Sequence, residues 1–197
     1  IVPGGQTGLS VILSRSFVSG NPASTQGDRA ILTHSGLIAA LNADTVTDAL
    51  LSQARHLHVA SYFLQPALQS GLPGLFERAH ALDLTTSLDP NWDPSGEWSG
   101  FDELLRQVDV FLPNEKEAQA LTGVVSIEAA AEVLCQKCDN VVIKLGAQGG
   151  LAWHGKQTTR ASALTIQVVD TVGAGDSFDG GFLYGYLHGW SLERSLS

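Results

Sequence analysis

A chain of 197 residues with 44% apolar and 16% charged side chains has material for one sizeable α/β domain and a small appendage, and is no disordered or fibrous chain. The 11 lysines and arginines against 20 acids leave a net charge of −9, which argues against a nucleic-acid or anionic-membrane surface and favours small-molecule partners. No apolar run approaches the roughly 20 residues of a membrane span, and the opening IVPGGQTG lacks the basic start of a signal peptide, so a cytoplasmic location is expected.

The chain begins with GLSVILSR and DRAILTH, two strand-like runs around the polar SGNPASTQG. They predict a hairpin over 1–40, projecting as a flap from a core of 41–197. Four apolar or β-branched runs follow: LHVAS (57–61), LTTSL (84–88), VDVFL (108–112) and NVVIKL (140–145). Each reads as a strand. Helical spacing lies between them in LPGLFERAHAL, in EKEAQAL behind Asn114 and in IEAAAEVL behind Ser126, with Gly123 placed as a C-terminal cap. Alternating strand and helix predict a parallel sheet with helices on both faces, whose ligands bind at the carboxyl ends of the strands. GGLAWH, QTTRA and LTIQVV then predict an antiparallel edge. A last helix starts at Ser191 and stops within two turns, so the chain is expected to be a fragment of a longer one.

Several residues invite chemistry and have plainer readings. His56 and His58 alternate on one strand and so share a face; with no third ligand nearby in sequence, a packed or hydrogen-bonded pair is the better reading than a metal site. Trp92 and Trp98 flank DPSGE, where aromatic residues more often finish a core than line a pocket. Cys135 and Cys138 form a C-x-x-C at a helix end with no second half for a zinc site, and read as two reduced thiols. The charged helix behind Asn114 reads, by itself, as a solvated surface.

The stretch VVDTVGAGDSFDGGFLYGYL (168–187) asks for more. Gly173 and Gly175 permit positive φ and close backbone approach, and the following residues have helical spacing, so the loop becomes a helix N-terminus. Such a terminus offers unpaired amides and the positive end of the helix dipole to a phosphate. An acid there would be repelled by the anion unless it acts on a neighbouring group, as a general base taking a hydroxyl proton does. The alternative is a tight turn with Asp176 as an ordinary cap.

VDTVGAGDSFDGGFL resembles the C-terminal signature of the PfkB/ribokinase family of carbohydrate and nucleoside kinases. FLPNEKEAQALTG is similar to that family's N-x-x-E segment, VVIKLGAQGG to its nucleotide-contacting strand and turn, SLDPNWDPSGEW to its D-x-N segment, and IVPGGQTGLSVIL to its lid strand. The resemblance implies a ribokinase-like three-layer α/β/α sandwich with a mostly parallel sheet and a small β lid. It implies ATP-dependent phosphoryl transfer to a hydroxyl of a small carbohydrate. Asp176 is the implied base and Gly173, Ala174 and Gly175 the anion hole. Asn114 and Glu117 would order Mg2+ through water, and Lys144, Gly146 and Gly149 would meet the nucleotide. Asp170 is the implied site of a monovalent cation such as K+, and Thr7 and Gly8 lie where relatives bring the lid over the acceptor. A homodimer through the lid is a further implication. Asp93 stands where many sugar-kinase relatives carry Arg, so any acceptor contact of that Arg is lost. The family's N-terminal part and its C-terminal adenine-closing segment are expected to be missing. The alternatives are a nucleoside kinase, a nucleotide- or sugar-binding regulatory protein on the same fold, and, last, another nucleotide enzyme with a Rossmann fingerprint, for which G-x-G-x-x-G is lacking.

Overall fold

The structure, a computed structural model, describes residues 4–14, 29–168 and 170–197. The expected loop SGNPASTQG, the first three residues and Val169 lie outside them. The flanking runs form the expected hairpin: strands β1 (Leu9–Ser14) and β2 (Arg29–His34) pair antiparallel as a separate two-stranded sheet.

The main sheet has six strands in sequence order: β3 (His56–Ala60), β4 (Thr85–Asp89), β5 (Val110–Phe111), β6 (Asn140–Lys144), β7 (Gly150–His154) and β8 (Gln157–Ala161). The first four are parallel and the last two antiparallel, as the change of pattern after Leu145 predicts. Consecutive parallel neighbours joined by right-handed crossovers put their connecting helices on one face. Helices α1 (Asp48–Leu51) and α2 (Pro66–Gln69) are single turns. Helices α3 (Leu72–Ala81), α4 (Phe101–Leu105), α5 (Glu115–Thr122) and α6 (Ile127–Cys135) supply the crossovers.

Period-two alternation sorts the strand residues between two layers. Leu88, Phe111, Val141 and Ile143 join the larger core with Leu75, Phe76, Leu104 and Leu134 from the crossover helices. Val110, Leu112, Val142 and Ala152 face the other way, against Phe182 and Leu183 of α7 (Ala174–Leu187), with α8 (Leu192–Leu196) beside them. Fully burying Phe182 alone contributes about 1.5–3 kcal/mol. The result is a three-layer α/β/α sandwich. No single helix among the described residues is long and apolar enough to cross a membrane.

Local signals at helix ends are realised. Ser126 and Ser191 cap α6 and α8, and Gly123 ends α5 in the left-handed region at φ 69°. Three expectations are corrected. LTIQVV forms no strand over 164–168: Leu164 is 81% and Ile166 69% exposed, because no strand among the described residues lies alongside to take their backbone bonds. VDVFL narrows to a two-residue strand. Trp92 is 54% exposed rather than core; it stands edge-on to Trp98, which meets Phe63 in the same manner.

Candidate active site

The carboxyl ends of the parallel strands form a rim of irregular backbone. Ser61 after β3 and Asn91 after β4 both adopt left-handed φ, at 58° and 55°, and Asn91 Nδ2 donates to Ser61 Oγ at 3.2 Å. Non-glycine residues in this region carry strain that the surrounding structure must hold in place. Beyond β5 the chain enters α5 through Asn114, whose side chain accepts the Glu117 N–H at 3.0 Å while Glu117 Oε2 accepts the Asn114 N–H at 2.8 Å. This capping box satisfies two amides of the helix start. It also buries Glu117 to 3% exposure, so the helix is not the solvated surface that its charges alone suggest.

Lys144 closes β6 beside Asn114; its amide donates to Pro113 at 3.0 Å. The following turn passes through Gly146 at φ 57° and Gly149 at φ 91°. A Cβ on Gly149 would collide with the Ala161 carbonyl oxygen, so only glycine fits between this turn and the end of β8. Next in space is the start of α7. Asp170 Oδ1 accepts the Val172 N–H at 3.0 Å, and Gly173 begins the helix at φ 73° with no side-chain cap among the described residues. Asp176 lies exposed in the first turn, near enough for its charge to favour protonation of His58. The structure thus brings Asp176, Gly173, Ala174, Gly175, Lys144, Asn114 and Glu117 to one edge of the sheet. Thr7 and Gly8 instead belong to the base of the hairpin, where Gly8 packs against Ser35 and Ile38.

Two acids that the sequence reading did not single out sit beneath this edge. The Lys144 ammonium lies 2.8 Å from Asp89 Oδ2 and 3.1 Å from both oxygens of Asp179, with side-chain exposures of 11%, 6% and 3%. Asp179 had a signal, an acid at i+3 from Asp176 inside an apolar helix, and Asp89 opens the D-x-N segment. Burial would lower the Lys144 pKa, but the two carboxylates outweigh it and hold the amine above its ordinary value. Burial raises Asp179 to about 8, with neighbouring Asp89 adding to the rise and Lys144 opposing it. One ammonium thus serves two buried carboxylates at once.

Burial likewise pushes Glu117 up to about 7, opposed by the Asn114 amide and reinforced by the charge of Asp89. A carboxylate under that pressure would gain from a cation nearby. Among the described residues no group of three or more His, Cys, Asp or Glu could hold a metal directly. Magnesium retains several waters and leans on substrate phosphates, so one or two carboxylates at a rim suit it. Asn114 and Glu117 fit that role.

The remaining candidates resolve plainly. Both His56 Nε2 and His58 Nδ1 lie 2.7 Å from Ser87 Oγ, the hydrogen-bonded pair expected. Burial, then the neighbouring His58, lowers His56 to about 4, and burial lowers His58 too. Cys135 and Cys138 are free thiols, with Cys138 buried. Asp93 is buried and accepts from Ser95 N–H and Trp98 N–H, each at 2.8 Å, so its carboxylate is consumed in shaping its own loop.

Comparison with known proteins agrees with this arrangement. The chain is 29% identical over 172 residues to an uncharacterized sugar kinase of Archaeoglobus fulgidus, covering 86% of this chain and 67% of that protein. It is 28% identical over 155 residues to the ATP-dependent 6-phosphofructokinase of Thermoanaerobacterium thermosaccharolyticum, covering 75% of this chain and 48% of the relative. The crystal structure of adenosine kinase from Sinorhizobium meliloti superposes with a TM-score of 0.78 at 29% identity, over 86% of this chain and 54% of that one. The chain therefore spans from about half to two thirds of the length of these proteins. The profile of the pfkB family carbohydrate kinases matches residues 22–197, and with its ribokinase-like sandwich and glycine-started helix at the strand ends the chain belongs to that family.

Proposed function

We propose that the protein transfers the γ-phosphoryl group of ATP to a hydroxyl of a small carbohydrate, with Asp176 as general base. One observation carries this reading: an exposed acid stands in the first turn of a helix that starts on a left-handed glycine and carries no side-chain cap. Asp176 takes the proton of the acceptor hydroxyl as its oxygen attacks the γ-phosphorus. The amides of Gly173, Ala174, Gly175 and Asp176 stabilise the charge that develops on the phosphoryl oxygens. Asn114 and Glu117 would hold Mg2+ through water, and the ion would supply positive charge to offset that of the phosphates. Gly146 and Gly149 let the nucleotide approach the turn after β6. Asp170, beside the Val172 amide, is the candidate for a monovalent cation such as K+.

The hairpin acts as the lid over residues 1–40, bringing Thr7 and Gly8 over the acceptor and excluding water, which would otherwise compete as the nucleophile. Its exposed Leu9, Val11, Leu13 and Leu32 support a role in covering something, the acceptor side of the core 41–197 or the lid of a second copy. A second reading, a nucleoside acceptor, is favoured by the likeness to adenosine kinase. ADP release by the intact gene product with Mg-ATP, across sugars and nucleosides, decides between them. Asp176→Asn is expected to lower turnover about 10²–10⁴-fold while nucleotide affinity stays. Mg-ATP binding without turnover on any acceptor would leave a regulatory binder.

A further inference from the structure

We propose that Lys144 is a positioning residue: by clamping Asp89 and Asp179 together it fixes the first turns of α7 against the strand ends. The proposal rests on the kinase reading for its catalytic consequence, though not for its structural one.

An ammonium has three donors. Around Lys144 Nζ stand three carboxylate oxygens within hydrogen-bond distance, Asp89 Oδ2 at 2.8 Å and both oxygens of Asp179 at 3.1 Å. A phosphate oxygen reaching Nζ would have to displace a carboxylate in a site from which water is nearly excluded, and the displaced carboxylate would lose its counterion. Lys144 is therefore a strut beneath the nucleotide rather than a hand upon it.

Among the described residues no other salt bridge joins these elements; the Asp89 and Asp179 carboxyl groups lie side by side, and the ammonium is what offsets the repulsion between them. β4 and β6 are separated in the sheet by β5, and α7 follows β6 only after the β7–β8 hairpin and a stretch whose described residues, 162–168 and 170–173, are irregular. Apolar packing by Phe182 and Leu183 holds the middle of α7 down, but hydrophobic contact is non-directional and tolerates sliding along the helix axis. Two bonds to one carboxylate, three residues past Asp176, remove that freedom. The ammonium also lies directly behind the loop: a Cβ built on Gly175 would be 3.9 Å from Nζ. On the opposite side the Lys144 amide is bonded to Pro113, next to the start of α5. One residue thus sets α7 relative to β4 through its side chain and to the Asn114 turn through its amide, and misplacement of reacting groups by about 1 Å can cost on the order of a hundredfold in rate.

Hydrogen–deuterium exchange on the intact gene product tests the clamp without any acceptor. In Lys144→Met and in Asp179→Asn, the first hydrogen-bonded amides of α7, 177–181, are expected to exchange about tenfold faster or more, while Val142 and Ala152 in the β6–β7 ladder keep their protection. With an acceptor that the wild type turns over, kcat falls about tenfold or more in both variants. The KM for Mg-ATP stays within about threefold, and the double variant is no slower than Lys144→Met. A tenfold rise in that KM with kcat preserved would overturn the proposal in favour of a nucleotide ligand. Unchanged exchange at 177–181, or a uniform loss of protection across the sheet, would overturn it as well. If Lys144→Met does not fold, Asp179→Asn decides alone, because it leaves the Lys144–Asp89 pair in place. Absence of turnover in the wild type would count against the kinase reading, and the exchange result would still decide on the clamp.

Discussion

Helices α5 and α7 begin at the same edge of the sheet and carry an acid at the same position, the third residue of the helix, yet they use it in opposite ways. In α5 the N-cap is Asn114 in extended conformation, and the acid, Glu117, folds back to accept the N-cap amide. In α7 the N-cap is Gly173 in the left-handed region, and the acid, Asp176, remains exposed. A side-chain cap consumes the amides that an anion would use; a glycine cap leaves them to a ligand. The identity of the N-cap therefore decides whether an acid in the first turn shapes the helix or is available for chemistry.

The strongest way to break this contrast is to remove the glycine. In Gly173→Val a β-branched side chain would have to adopt φ 73°, a conformation that costs about 1–3 kcal/mol, or else the first turn must rewind. Turnover is expected to fall about a hundredfold as the anion-facing amides turn away, with a loss of melting temperature of a few degrees. Steady-state kinetics alongside thermal unfolding would check it; full activity in the valine variant would mean the left-handed start is dispensable.

At α5 the same logic predicts a smaller and different effect. Asn114→Ala removes the acceptor for the Glu117 amide and should destabilise the chain by about 1–2 kcal/mol. Because Glu117 is then less firmly held, the KM for Mg-ATP is expected to rise about tenfold while kcat changes less. Titrating Mg-ATP at saturating acceptor separates the two; a fall in kcat alone would place Asn114 with the reacting groups instead.

The two helix starts also mark how far sequence reasoning reaches. Asn114, Ser126, Ser191 and Gly123 are legible because a cap is a local event, decided within three or four residues. The inner parallel strands β5 and β6 are legible because burial on both faces makes them largely apolar. LTIQVV has the same alternation as a strand and forms none over 164–168, since a ladder needs a neighbour that no pattern within the segment can supply. The Lys144 clamp is equally non-local: its bonds span 55 residues to Asp89 and 35 to Asp179, so each residue looks ordinary until the sheet brings them together. Glu117 misleads in the other direction, because a charged helix face reads as solvated unless the capping box that buries it is recognised as a rim of the sheet.

A third helix start sharpens the comparison by having a cap and no site. Ser126 begins α6 on an exposed surface, accepting the Ala129 N–H at 3.4 Å and donating to Glu128 at 3.1 Å. Ser126→Ala should cost about 0.5–1 kcal/mol, the lower part of the usual range for a lost cap, because the bond is long and open to water. Neither kcat nor the KM for Mg-ATP is expected to change beyond about twofold, because nothing on this turn faces the strand ends. Denaturant midpoints read with the kinetics would check both halves. If Ser126→Ala impaired nucleotide binding as Asn114→Ala does, the Asn114 effect would be a general consequence of loosening the α5–α6 pair, and the special place given to Asn114 and Glu117 would fall with it.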